Sequence, residues 1–163
     1  MPTLAAGPSL GTMEDIALTD SHLTPSFEHL RVADAVRPRA LTSCDPQTAM
    51  VTVAQRMASE HVHAIVVLRE TIDAEGAIGR RPWGIITDRD VLRCAADIDY
   101  RVAEDIALGG VLIVDPDDRL DAVAERMLAQ HTRHAVVVDP RTDRPVGVLS
   151  TLDIAGILGW GLG

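Results

Sequence analysis

The chain has 163 residues, 47% of them apolar and 24% charged, which is enough to bury a core and ordinary for a globular protein. Its net charge of −9 argues against a nucleic-acid phosphate backbone as partner, because such binding rests on cationic contacts, and no stretch reaches the roughly 18–20 apolar residues of a membrane-spanning helix. Aromatic residues make up only 2%, so the core has to be built from Val, Ile, Leu, Ala and Met. The N-terminus lacks a basic segment followed by an apolar one, so no secretion signal is expected and the cytoplasm is the expected location. Two cysteines, Cys44 and Cys94, make neither a disulfide framework nor a Cys-x-x-Cys metal site and are expected as small buried hydrophobes.

Residues 1–29 hold Gly7, Pro8, Ser9, Gly11 and Pro25 among polar residues and read as a flexible arm, with room for a short helix at Met13–Leu18. A short helix is predicted over Leu30–Val36, followed by an extended segment at Ala40–Ser43 that ends at the turn formers Asp45-Pro46. Thr48–Glu60 is an amphipathic helix with Met50, Val53, Ala54 and Met57 on one face. Ala64–Leu68 is an apolar, β-branched run of the kind buried on both faces of a sheet, and Trp83–Ile86 follows the same logic. A helix over Asp88–Ala96 closes the first half. The second half repeats the order with Val111–Val114, Asp118–Gln130, Ala135–Val138, Val146–Leu149 and Thr151–Leu158.

The repetition shows in the residues themselves. Arg31-Val32-Ala33-Asp34-Ala35-Val36 returns 70 residues later as Arg101-Val102-Ala103-Glu104-Asp105-Ile106, and Asp45-Pro46 returns as Asp115-Pro116. The helical face recurs as Leu120, Val123, Ala124 and Met127, after which the offset reads as 71 at Ala64 and Ala135, then 63 at Asp90 and Asp153. Two copies of one α+β unit are expected, at residues 30–97 and 98–160, each a small sheet with helices on one face. Neither is large enough to be comfortable alone, so the two should pack as a pseudo-twofold pair.

Each copy closes on one phrase: Gly84-Ile85-Ile86-Thr87-Asp88-Arg89-Asp90 and Gly147-Val148-Leu149-Ser150-Thr151-Leu152-Asp153. The spacing of Thr87 to Asp90 and of Ser150 to Asp153 is that of a capping box, in which hydroxyl and carboxylate satisfy backbone N–H groups at a helix start. A carboxylate there also has the acceptor pair that suits a vicinal diol. Both readings stand at this level. His61 and His131 align as helix-end residues suited to the dipole, and His61 with His63 forms a His-x-His pair that no carboxylate or cysteine completes into a metal site. No nucleophile–base pair or metal cluster appears, and an enzyme is not expected.

The order strand, helix, strand, strand, helix, with Asp-Pro before the first long helix and Gly-apolar-apolar-[Ser/Thr]-x-x-Asp before the second, resembles the CBS domain, the cystathionine β-synthase type, over about residues 30–158. Two in tandem form a Bateman module, and Thr87-Asp88-Arg89-Asp90 is similar to the form in small stand-alone bacterial members. The resemblance implies a regulatory module that binds AMP, ADP, ATP or S-adenosylmethionine in clefts between the repeats and signals to a partner by a shift in packing, with no cofactor required. It implies that Asp90 and Asp153 accept ribose hydroxyls, that Thr87 and Ser150 reach the ribose or first phosphate, and that His63, Arg133, His134 and Arg89 meet phosphates. With Arg89 beside it, the Asp90 cleft is the expected one if only one is filled. The alternative is a ligand-free structural or interaction protein. In either case a homodimer is expected, with helix faces bearing Met50, Met57 and Met127 suited to its interface, although Met57 and Met127 are most simply core or interface filler.

Overall fold

A computed structural model describes residues 27–36, 41–107 and 110–161. The helix expected at Met13–Leu18, most of the 1–29 arm, and Pro38, Ala40, Leu108 and Gly109 lie outside the described residues. In chain order the elements are a 3-10 turn at Phe27–His29, then α1 (Val32–Ala35), β1 (Ser43–Cys44), α2 (Met50–Glu60), β2 (Ala64–Ile72), β3 (Ile78–Thr87) and α3 (Asp88–Arg93). A second 3-10 turn at Ile98–Tyr100 leads into α4 (Ala103–Ile106), β4 (Ile113–Val114), α5 (Leu120–Ala129), β5 (His134–Asp139), β6 (Arg144–Ser150) and α6 (Thr151–Trp160). No helix among the described residues is long and apolar enough to cross a membrane.

The strands form two three-stranded sheets, β1-β2-β3 and β4-β5-β6, each with one parallel and one antiparallel pairing. The central strands explain the unbroken apolar runs. Ile65 and Val67 point to the helices over their own sheet, where they join Met50, Val53, Met57 and Ile86, while Val66 and Leu68 point the other way. There they meet Val136 and Val138 of β5, so the two sheets pack face to face through a third cluster that Ile85 and Val148 flank. Alternation of side chains along a strand thus serves two cores at once.

The short leading helices are exchanged between the halves. Val32 and Ala35 of α1 are buried with Leu120, Val123 and Met127 of the second half, whereas Ala103 and Ala107 around α4 are buried with Met50, Val53 and Met57 of the first. Backbone bonds fix both exchanges in matching fashion: Val32 N–H donates to Asp118 O at 3.0 Å and Ala103 N–H to Thr48 O at 2.8 Å. Leu120 N–H likewise donates to Leu30 O, and Met50 N–H to Arg101 O. The opening glycines of the repeated phrase accommodate this exchange. A Cβ on Gly84 would stand 2.7 Å from Ala107 O, and one on Gly147 would stand 2.6 Å from Val36 Cγ1, closer than atoms pack.

Four expectations change. Strand pairing aligns Val66 with Ser43 and Val136 with Ile113, so the offset stays at 70 through β5 and does not slip to 71; His63 therefore corresponds to Arg133, and His134 to Ala64. The β2–β3 hairpin runs to an Ile72–Ile78 pair rather than stopping at Leu68, because its outer half is held by ladder bonds and needs no apolar face. Helix α3 ends at Arg93, with the Cys94 N–H bonded back to Asp90 O and Leu92 O. Finally, Met50, Met57 and Met127 are buried inside the cores and offer nothing to a dimer interface. Cys44 and Cys94 are free thiols buried in the first core, and burial raises the thiol pKa of both.

Candidate functional site

Both copies of the phrase put an apolar strand into a core and let it emerge directly into a helix. Thr87 and Ser150 are the N-caps, with extended backbones (φ −107° and −111°), and the aspartates fall three residues later on the first turn. Asp90 Oδ2 accepts from Thr87 N at 3.0 Å and from its hydroxyl at 2.6 Å. Asp153 Oδ2 accepts from Ser150 N at 2.8 Å and from its hydroxyl, and Asp153 N–H returns a bond to Ser150 Oγ at 3.2 Å. Capping is therefore real in both copies and occupies one carboxylate oxygen in each.

The second oxygen separates them. Asp90 Oδ1 accepts from Arg93 Nη1 at 2.9 Å, an i,i+3 pair on the same helix. In the second copy the position of Arg93 is held by Gly156, and Asp153 Oδ1 takes no hydrogen bond from the described residues. A carboxylate oxygen on a half-buried side chain is left available there.

Asp153 lines a cleft of about 870 Å³, a size suited to a small organic ligand. The second repeat supplies Ser150, Asp153, Val148 and the inner face of α6, while the first supplies Asp34 and Ala35 of α1, Leu41 and Thr42 before β1, and His63 and Ala64 at the head of β2. The exchange of α1 is what carries first-repeat residues to this place. His134, at the head of β5, lines the same cleft.

The cleft is lined by two carboxylates, Asp34 and Asp153, and two imidazoles, His63 and His134. His63 Nδ1 lies 3.0 Å from Asp88 Oδ2, and this bond is the main reason the Asp88 carboxyl sits below its usual range. Burial lowers the pKa of His134, against the pull of the Asp88 and Asp153 carboxylates and with the push of His63 and Arg133. At neutral pH His134 is thus a largely uncharged imidazole at the wall of the cleft.

Of the eight residues singled out in the sequence, this cleft brings together four: Ser150, Asp153, His63 and His134. Thr87 and Asp90 form the corresponding pair at the start of α3, with Arg93 across the carboxylate. Arg89 is exposed beside them, and Arg133 is exposed with its carbonyl bonded to Thr151 N–H; neither lines the Asp153 cleft. Sequence reasoning missed Asp34, Leu41, Thr42, Gly156 and Trp160 as lining residues. The contrast of Arg93 with Gly156 is visible as a signal, since each stands three residues past the end of its copy of the repeated phrase.

The CBS domain family profile matches residues 32–97 and again 103–159. No curated protein matches the sequence. Among solved structures, the CBS domain protein PAE2072 from Pyrobaculum aerophilum, complexed with AMP, is 27% identical over 82% of this chain and 100% of its own, with a TM-score of 0.64. The CBS domain pair of protein MJ0100, in complex with 5′-methylthioadenosine and S-adenosyl-L-methionine, is 22% identical over 80% of this chain and 96% of its own, with a TM-score of 0.65. A hexameric CBS-CP12 protein from bloom-forming cyanobacteria is 19% identical over 81% of this chain and 71% of its own, with a TM-score of 0.66.

Proposed function

The chain belongs to the CBS domain family, with two copies that pack as one pair, and from that premise we propose that it is a regulatory module binding an adenosine-type ligand in the Asp153 cleft. The observation that carries the reading is the state of Asp153: Oδ2 caps α6, Oδ1 takes no hydrogen bond from the described residues, and the residue lines a ligand-sized cleft. A carboxylate oxygen in that state suits one or both hydroxyls of a ribose, in a charge-assisted bond of the stronger kind. The AMP complex of the Pyrobaculum aerophilum relative supports an adenosine ligand as the class to test first.

A means of signalling follows from how the cleft is assembled. Its walls include α1 from the first repeat, seated on the second repeat's core, and α6 from the second. A ligand touching both helices favours whichever packing of the pair it binds more tightly, and it shifts the pair only by that difference. A partner protein, or a second copy of the chain, reads the shift.

The test is thermal denaturation and calorimetry with AMP, ADP, ATP and S-adenosylmethionine. Ligand at about 100 times its dissociation constant adds roughly 2.7 kcal/mol of stability, a readily measured rise in melting temperature. No shift with any of the four at millimolar concentration contradicts the reading.

A further inference from the structure

Helix α6 carries a second element of the cleft that neither the repeated phrase nor the first repeat shares. Asp153, Gly156, Ile157 and Trp160 stand at i, i+3, i+4 and i+7, so they follow one another along a single helical face, and all four line the cleft. Trp160 is 90% exposed, in a chain with only 2% aromatic residues. An indole left uncovered withholds roughly 150–250 Å² of apolar surface from burial, and core packing does not account for its presence. Between it and the aspartate lies a gap. A Cβ on Gly156 would meet nothing within 4 Å, and helical side chains lean toward the helix N-terminus, which inclines the indole over that space.

We propose that Trp160 is a specificity-determining residue of this cleft: its indole stacks on the planar base of a nucleoside whose ribose is held at Asp153. Seven residues of helix separate the two side chains by about 10 Å, comparable to the span from a ribose diol to the far edge of its base. Gly156 leaves the intervening face open, and Ile157 gives it an apolar floor. The stack selects for ligands that carry an aromatic base, irrespective of the number of phosphates. It rests on the adenosine reading above.

The test uses the full chain with Trp83→Phe, which removes the other indole; Trp83 packs beneath the Arg69 guanidinium and does not line the cleft. Titration with adenosine and with AMP is expected to change the emission of Trp160, and Trp160→Ala is expected to weaken calorimetric affinity for both about tenfold, with Trp160→Phe retaining most of it. If Trp160→Ala binds as the parent does while Asp153→Ala does not, stacking is overturned and the adenosine reading stands. If the parent binds neither compound, the adenosine reading falls and the stacking falls with it.

Discussion

The two copies of Gly-apolar-apolar-[Ser/Thr]-x-x-Asp end in the same cap and differ in what remains of the carboxylate. In the first, both oxygens of Asp90 are engaged, one by Thr87 and the other by Arg93. In the second, glycine stands where that arginine would be, and Asp153 keeps one oxygen for something else. A capping box and a ribose acceptor are therefore not rival readings of the motif. The cap uses one oxygen in each copy; the other is taken by Arg93 at Asp90 and is the one proposed to meet a ligand at Asp153. Arg89 drew attention to Asp90 in the sequence, and it is Arg93 that engages the carboxylate.

Substitutions in the two copies test this contrast. The largest effect is expected at the glycines that admit the exchanged helices. Gly84→Ala drives a methyl into the backbone of Ala107, whereas Gly147→Ala meets only a methyl of Val36, which can move. Overpacking of this kind costs about 1–3 kcal/mol, and urea denaturation is expected to place Gly84→Ala toward the upper end and Gly147→Ala toward the lower. Equal losses would mean that the two exchanges are equally tolerant and that the close approach at Ala107 is no tighter in effect than that at Val36.

Next come the aspartates as caps. Asp90→Ala removes both the Thr87 bonds and the Arg93 pair and is expected to cost about 1–2 kcal/mol without ligand, while Asp153→Ala removes the cap alone and costs about 1 kcal/mol. Chemical denaturation of the unliganded proteins checks the order.

A smaller effect concerns pH. Burial lowers the folded pKa of His134 below its unfolded value near 6.5, so the unfolded chain binds the proton first. The contribution of this residue is complete above about pH 6.5 and is lost progressively as pH falls from there toward the folded value. The melting temperature is expected to drop between pH 7.5 and 5.5, and His134→Gln is expected to flatten that slope. An unchanged slope in the variant would remove His134 from the account.

Much of this was legible in the sequence, and the rest was hidden for identifiable reasons. The runs at Ala64–Leu68 and Ala135–Val138 announce strands buried on both sides, because alternation is absent where two cores are served. The helical faces of Met50, Val53 and Met57 and of Leu120, Val123 and Met127 were equally plain. Periodicity states that a face is apolar and not which core it meets, so the crossing of α1 and α4 stayed invisible, and with it the placing of Asp34, Leu41 and Thr42 beside Asp153. The same limit leaves Met57 and Met127 readable as either core or interface filler, and the structure buries them, with Met50, inside. The outer half of the β2–β3 hairpin, with Arg69, Glu70, Arg80 and Arg81, lacks an apolar run because ladder pairing extends it and Arg69, Arg80 and Arg81 tie it to Glu104, Asp45 and Asp143. The capping geometry at Ser150 and Asp153 could be read from spacing; the uncommitted oxygen needed the neighbour at Gly156.

The most direct measurement is calorimetric titration of the full chain, Asp90→Ala and Asp153→Ala with AMP. Loss of one charge-assisted bond corresponds to about 1.5–3 kcal/mol, so Asp153→Ala is expected to weaken binding roughly tenfold or more, while Asp90→Ala binds as the parent does. Loss of binding in Asp90→Ala with affinity kept in Asp153→Ala would contradict the account and return the ligand to the first copy.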